Sequence, residues 1–384
     1  MITDQQIQKI FNWADKNKVV GKSWKKQKWG INLSDDEIDS VKRGIPRDKD
    51  TLLKITHLNL SKSKLSDIPI ELFKLTKLID LDISSNKITI LSKDIDKLEN
   101  LEYLDFSNNS VWSEKNGYSF LSIPKEIKNL KKLRYLNLSN VKFKTLSDEV
   151  WELKKLEILH LGSYDAPIEI SKKLGNLTNL IHLELSYISN TQLPIEIGNL
   201  TKLKYLKIDE CEKLQDIPEK IGNLQNLKFL GLNSLNIKKL PKEIGKLLKL
   251  EEFRVEWCEK LQNIPKEIGR LKNLKHLELS GLNLQKIPNE IGNLINLKYL
   301  EFSSLEIKEL PKELGNLLEL EYLKIESCDK LKSILSEIGN KTIIEIMLRS
   351  RKVFFNKKEL ERIYVRIVDY EVRNLAEAKM WLFV

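Results

Sequence analysis

From Leu52 onward, leucine and other aliphatic residues return in one figure every 23 or 24 residues, with rounds starting at Leu52, Leu75, Leu98, Leu130, Leu153, Leu177, Leu200, Leu224, Leu247, Leu271, Leu294 and Leu317. One gap is longer: nine extra residues separate Leu98 from Leu130, and they are placed at Trp112–Phe120. Within a round, apolar and polar positions alternate, as in Leu203, Leu206 and Ile208 against Tyr205, Lys207 and Asp209. That is the period of a strand with one buried face. The following P-x-E-I-G predicts a short helical turn, with proline at its first position and a left-handed glycine just past its end. Eight prolines (Pro69, Pro124, Pro194, Pro218, Pro241, Pro265, Pro288, Pro311) and eight glycines (Gly175, Gly198, Gly222, Gly245, Gly269, Gly292, Gly315, Gly339) fall on these two sites. A lone coil of this kind cannot bury its leucines, so neighbours must stack, strand beside strand and turn beside turn.

The figure L-P-x-E-I-G-N-L-x-x-L-x-x-L-x-L resembles the leucine-rich repeat, which is identified by this period and spacing. It is similar to repeats of intracellular bacterial proteins, including those of pathogenic spirochaetes, and to the Scribble and plant Ras-group types. The resemblance implies an α/β right-handed solenoid, a horseshoe with a parallel sheet on the concave face and helical or 3-10 turns on the convex face. About twelve repeats are expected over residues 52–343, between helical caps at 1–51 and 344–384.

For the N-terminal cap, Thr3 and Gln6 form a capping-box pair before Ile7, Ile10, Phe11 and Ala14 at helical spacing. Ser34 with Glu37 predicts a second short helix that Gly44 ends. Downstream, Ile344 keeps the repeat phase, but Arg349 stands where an inward leucine is needed, so the solenoid is expected to stop near 343. Asn356 with Glu359 opens a helical pattern, although RIYVRIVDYEV also alternates like a strand.

Cys211, Cys258 and Cys328 share one position of the repeat. The resemblance implies a ladder there, in which a buried Asn or Cys bonds the backbone of the loop leaving the strand; Asn86 and Asn109 occupy it in earlier rounds, and Tyr164 in a fourth long round. Val141, Ile188, Leu235, Leu282 and Leu305 interrupt the ladder. No two cysteines lie in adjacent rounds, and with strands roughly 4.8 Å apart they are too distant for a disulfide. Structural thiols in a reducing compartment are expected.

Function is expected on the concave face, where the outward strand positions align in columns. The first column is rich in rings: His57, Tyr103, Tyr135, His182, Tyr205, Phe229, His276, Tyr299 and Tyr322. Arg254 stands in the next column, and Tyr187 and Trp257 in the outermost. Two readings stay open for the rings: mutual packing across strands, and a binding surface of the aromatic kind that anchors partners. Four such columns hold eleven acids and four bases, a charge of −7 in a chain of +10, which leaves +17 elsewhere. Such a face disfavours nucleic acid and suits a protein with a basic or mixed surface.

All four histidines (His57, His160, His182, His276) share this face, but alternating strand residues offer no closed ligand set, so no metal and no cofactor are expected. Gly21-Lys22-Ser23 lacks the earlier glycine and the strand of a phosphate-binding loop, and no HExxH, nucleophile elbow or CxxC occurs. Some bacterial leucine-rich-repeat effectors carry a ubiquitin-ligase domain with a nucleophilic cysteine; about forty residues follow the repeats here, none of them Cys. The resemblance therefore implies a non-enzymatic scaffold for a protein partner, in the manner of a bacterial host-interaction or effector protein. A second class of function is a basic binder of anionic membrane or nucleic acid through Lys16–Trp29, which holds six lysines, Trp24 and Trp29 and no acid, or through the convex side. No run of eighteen apolar residues forms a membrane span. The first ten residues, MITDQQIQKI, lack the basic and apolar regions of a cleavable signal. Cytoplasmic residence and a monomer are expected, with export as an effector left open.

Overall fold

The computed structural model describes residues 2–21, 44–109, 111–113, 117–119, 121–143, 145–331, 343–347 and 365–367. They belong to two compact units, Met1–Ile188 and Ser189–Val384. In the first, helix α1 (Asp4–Lys16) starts at the Thr3/Gln6 capping box and buries Ile7, Ile10 and Ala14. Phe11 stays half-buried beneath the Arg47 guanidinium, 5.0 Å from its ring centre. The short strands β1 (Val20–Gly21) and β2 (Ile45–Pro46) pair in parallel, and Asp48 caps the single turn α2 (Lys49–Leu52). Lys9 reaches Glu71 at 3.0 Å and the Trp13 indole donates to Asp67 at 3.2 Å, which ties α1 to the first coil. The helix expected at Ser34–Gly44 lies outside the described residues apart from Gly44.

The repeat strands of this unit are β3 (His57–Asn59), β4 (Asp80–Asp82), β5 (Tyr103–Asp105), β8 (Tyr135–Ser139), β9 (Ile158–Gly162) and β10 (His182–Ser186), parallel and adjacent in that order. Between β5 and β8, the long gap holds an antiparallel hairpin, β6 (Val111–Ser113) with β7 (Gly117–Ser119), a structure the spacing did not indicate. The second unit carries β11 (Tyr205–Asp209), β12 (Phe229–Asn233), β13 (Glu252–Glu256), β14 (His276–Ser280), β15 (Tyr299–Ser303) and β16 (Tyr322–Glu326), again parallel and sequential. Twelve parallel strands thus stand where the rounds place them, each followed by a loop and, in all but the last described round, a five-residue 3-10 turn such as Ile195–Asn199.

The inward positions form the core. Leu203, Leu206, Ile208 and Leu214 are fully buried, and the same holds round after round. Each such side chain contributes about 1.5–3 kcal/mol of gross burial energy.

Two details of the coil differ from the sequence reading. Proline precedes the turn in extended conformation (Pro218 has φ −69°, ψ 147°), and its carbonyl accepts the first bond, Ile221 N to Pro218 O at 2.9 Å. Glycine sits inside the turn rather than past its end. Among the described glycines only Gly44, Gly162 and Gly281 have positive φ. The turn glycines answer to a close approach between coils: a Cβ at Gly269 would lie 2.4 Å from the Glu290 carbonyl oxygen, and one at Gly292 2.2 Å from that of Glu313.

The left-handed residue falls elsewhere, directly after the five-residue strands and three residues past the end of β3, β4 and β5. Lys62, Ser85, Asn108, Asn140, Tyr187, Glu210, Ser234, Trp257, Ser304 and Ser327 all have φ between 49° and 55°. That conformation costs an ordinary residue roughly 1–2 kcal/mol. It is offset by one more ladder bond to the next coil, as in Ser234 N to Glu256 O (2.9 Å) and Trp257 N to Ser280 O (2.8 Å).

At the far end, Leu323 pairs with Ile344 as the repeat phase requires, within strand β17 (Ile343–Met347). Strand β18 (Val365–Ile367) pairs in parallel with β17, so the described parts of 344–384 are strands that extend the sheet past 343. Strand β18 falls in RIYVRIVDYEV, the segment whose alternation also reads as a strand. The helix expected from Asn356 and the position of Arg349 lie outside the described residues. No helix among the described residues is long and apolar enough to cross a membrane.

Candidate functional site

Because strand side chains alternate, every outward residue of a strand faces the same side as its partner in the next coil. Cross-strand pairing then decides what touches what. In the first unit the Tyr103 and Tyr135 rings stack at 4.1 Å and 14°. His160 tilts against Tyr135 (5.6 Å) and against His182 (5.0 Å). In the second unit Tyr205 stacks on Phe229 at 4.2 Å, and His276, Tyr299 and Tyr322 form a three-ring stack at 4.2 and 5.1 Å. The stacked rings of the first column are therefore half-buried and in contact with one another across strands.

Polar neighbours hold these rings further. Tyr299 donates to Glu301 at 2.6 Å, while Lys324 bridges Glu301 (2.8 Å) and Glu326 (3.0 Å). Burial, then the charges of nearby residues, push the Tyr103 and Tyr135 hydroxyls above their ordinary range. Asp105 is pushed up to about 6 by burial and by the adjacent Asp82 carboxylate. Arg254 is bound within the face, to Glu252 at 2.5 Å with Glu278 at 3.7 Å.

Trp257 differs from the column rings. Its indole is 53% exposed, held outward by a left-handed backbone (φ 51°), and it lies across Gly281 of the next coil, where a Cβ would come within 2.5 Å of the ring. Phe229 uses Gly231 in the same way, with a Cβ there 3.0 Å from the ring. Both glycines leave room for a neighbouring ring, and their signal in the sequence is the missing side chain in an otherwise filled column.

Tyr164 corrects the ladder assignment. It is 71% exposed and packs edge-on against Tyr187 at 5.3 Å, rather than occupying a buried ladder position. The cause is Gly162, whose φ of 139° turns the chain one residue early, and whose Cβ would strike the Ser186 carbonyl oxygen at 1.9 Å. Elsewhere the ladder position is buried. Asn86 donates to the carbonyls of Leu60 (2.9 Å) and Ile83 (3.1 Å) and accepts from Ser63 and Leu65 N–H groups, both at 3.0 Å. Asn109 donates to the Ile83 and Phe106 carbonyls and accepts from Ile88 N–H. Cys211, Cys258 and Cys328 are buried and not joined in disulfides; their thiols donate to the carbonyls of Asp209 (3.0 Å), Glu256 (3.4 Å) and Glu326 (3.4 Å). Burial pushes the Cys258 thiol up to about 12 and that of Cys328 to about 11, far from a reactive thiolate.

The histidines make three different arrangements. His57 meets Asp80 at 2.7 Å, and His276 stands 3.8 Å from Glu278. His160 and His182 both converge on Glu184, at 2.8 and 3.1 Å. Burial alone would raise the Glu184 carboxyl, but the two imidazoles hold it well below the usual carboxylate range. Residues 22–29 of the basic Lys16–Trp29 stretch lie outside the described residues.

Comparisons with known proteins agree with this architecture. The family profile described as "Leucine-rich repeat region" matches residues 117–213, 194–274 and 262–361, and "Leucine rich repeat" matches 54–111. No curated protein sequence matches. Among solved structures, a leucine-rich-repeat protein of Leptospira interrogans is 26% identical, with TM-score 0.60, and the match covers 88% of this chain and 97% of that one. An internalin of Listeria monocytogenes is 20% identical at TM-score 0.61, over 79% of this chain and 85% of that one. The ectodomain of the Arabidopsis receptor kinase HAESA, solved with a peptide hormone ligand, is 25% identical at TM-score 0.58, over 80% of this chain and 52% of that one.

Proposed function

The chain belongs to the leucine-rich repeat family, and we propose that it works without catalysis, as a scaffold that binds a protein partner on the strand face. The observation that carries this reading is Trp257. A large indole, more than half exposed, is fixed on a rigid strand end and braced against Gly281. Anchors of this kind, preorganised and rimmed by charge, contribute most of the energy in protein interfaces. Tyr205 and Phe229 supply a flat stacked neighbour in the same unit, with Arg254, Glu252 and Glu278 as a paired charged rim. In the first unit Tyr103, Tyr135, His182 and Tyr187 offer a second set of contacts, and in the second unit His276, Tyr299 and Tyr322 extend the first. The excess of acids on this face favours a partner with a basic or mixed surface. The HAESA ectodomain, which was solved with a peptide hormone ligand, supports a peptide or protein ligand. The Leptospira relative supports a bacterial setting, and a host-interaction or effector role is part of the proposal, acting from the cytoplasm or after export. Residues 1–51 and 344–384 are proposed as the caps of a repeat region at 52–343.

The test is a pull-down from bacterial and host-cell lysates with the wild-type chain and a Tyr205→Ala/Trp257→Ala variant of unchanged thermal stability. A partner captured by the wild type and lost from the variant is the expected result. If every captured protein persists with the variant, the strand-face anchors are wrong.

A further inference from the structure

His160 of β9 and Glu184 of β10 are direct cross-strand partners, and His182 stands two residues before Glu184 on the same face. The register therefore sets three ligand-bearing side chains at the corners of a small triangle, and their ligand atoms all lie within 4.8 Å of one another. Two edges are already short: His160 Nδ1 to Glu184 Oε2 is 2.8 Å, and His182 Nε2 to Glu184 Oε1 is 3.1 Å. In a tetrahedral site with bonds of about 2.0–2.1 Å, ligand atoms stand roughly 3.4 Å apart. Each imidazole thus meets a different oxygen of the one carboxylate, and with all three ligand atoms within 4.8 Å a side-chain adjustment reaches the required spacing. Both imidazoles are pinned by ring contacts, His160 to Tyr135 and to His182, so less rotamer freedom is lost on binding. The three side chains keep 14–32% of their surface exposed, which leaves an approach from solvent.

We propose that His160, His182 and Glu184 form a binding site for a first-row divalent transition metal of the zinc type, with the fourth coordination position open to water. Two imidazoles and one carboxylate suit Zn(II), Cu(II) or Ni(II) and not Ca(II) or Mg(II), which take mainly oxygen ligands. The second unit supplies an internal control. The same His-Leu-Glu motif recurs at His276–Glu278, but there the cross-strand partner of the glutamate is Arg254, a cation in the place of His160. Among the described residues, three ligands come together only at His160, His182 and Glu184. The site goes beyond the scaffold reading and does not depend on it.

The experiment is calorimetric titration of the full chain, free of any histidine tag, with ZnSO4 near neutral pH, beside the variants His160→Arg and Glu184→Gln. One equivalent bound by the wild type, weakened at least tenfold in both variants, is the expected result. His160→Arg copies the arrangement in the second unit, and Glu184→Gln keeps the side-chain shape while removing the charge. Co(II) supplies a second readout: visible d–d bands without a thiolate charge-transfer band identify nitrogen and oxygen ligands and set aside the buried cysteines. Substoichiometric binding by the wild type, affinity unchanged in both variants, or a thiolate band each overturns the proposal. Persistence of every captured protein with the Tyr205→Ala/Trp257→Ala variant, with zinc affinity intact, would refute the scaffold reading alone.

Discussion

Asn86 and Cys258 occupy equivalent places in their coils, yet one amide does far more than one thiol. Asn86 closes two backbone acceptors and two donors at 2.9–3.1 Å, whereas the Cys258 thiol reaches two carbonyls at 3.4 and 3.8 Å. Leaving buried backbone groups unpaired costs roughly 1–3 kcal/mol each. Asn86→Ala is therefore expected to destabilise by about 2–4 kcal/mol and Cys258→Ala by about 1 kcal/mol, read from denaturant unfolding; equal losses would refute this account of the ladder. Asp82 and Asp105 give the opposite case, a like-charged buried pair. Asp105 has an ordinary value of 3.8, raised to about 6, so between those values the folded state holds more protons than the unfolded one. Stability from this group is fully present below pH 3.8 and is lost as pH rises through about 6. Asp82→Asn removes the neighbouring charge and should raise stability by about 1 kcal/mol at pH 7.5 with little change at pH 4. A melt gaining equally at both pH values would contradict the coupling. Residue columns were legible from the repeat alone because a fixed period maps position onto face. Tyr164 was not, since one glycine at φ 139° moves the turn by a residue and no spacing rule records that.

At the level of the coil, the period identified the strand and its partner and located the nine extra residues, but not the hairpin at Val111–Ser119 that holds them. The turn was read less well, because the same glycine signal fits two causes: a left-handed backbone, or a neighbour too close for a side chain. The structure has the second, with the Glu290 carbonyl oxygen where a Gly269 Cβ would be. The two causes predict different substitutions. A left-handed site tolerates Asn, whereas a close approach rejects every side chain. Gly269→Ala and Gly269→Asn are both expected to destabilise, by about 1–3 kcal/mol for alanine and more for asparagine, read from denaturant unfolding. Asparagine tolerated as well as glycine would restore the left-handed reading. Strand ends follow the converse logic, since ten non-glycine residues accept the left-handed conformation there. Ser234→Gly should accordingly stabilise slightly, while Trp257 keeps its costly backbone and gains an outward indole.

For the molecule as a whole, the central fact is the separation of charge by surface. The chain carries +10, yet its strand-face columns sum to −7. Many of those acids are partly neutralised within the face, by Arg254 at Glu252 and by Lys324 at Glu301 and Glu326. Glu256 is an exception: burial and the nearby Glu278 raise its carboxyl above the usual range, so its charge is held against both. Glu210, next to the ladder cysteine Cys211, adds a second acid at a strand end. Long-range attraction to a basic partner acts mainly on association rate and weakens as salt shortens the Debye length to about 8 Å at physiological strength. Glu210→Gln/Glu256→Gln should therefore slow association with the captured partner and flatten its dependence on NaCl, with stability kept or slightly raised because a strained carboxylate is gone. Retention on a heparin column reports the other surfaces, whose charge is +17, and should not fall in this variant. If neutralisation instead left the salt dependence of partner binding unchanged, the acidic face would have no steering role, and the contact would have to lie on the basic remainder of the chain.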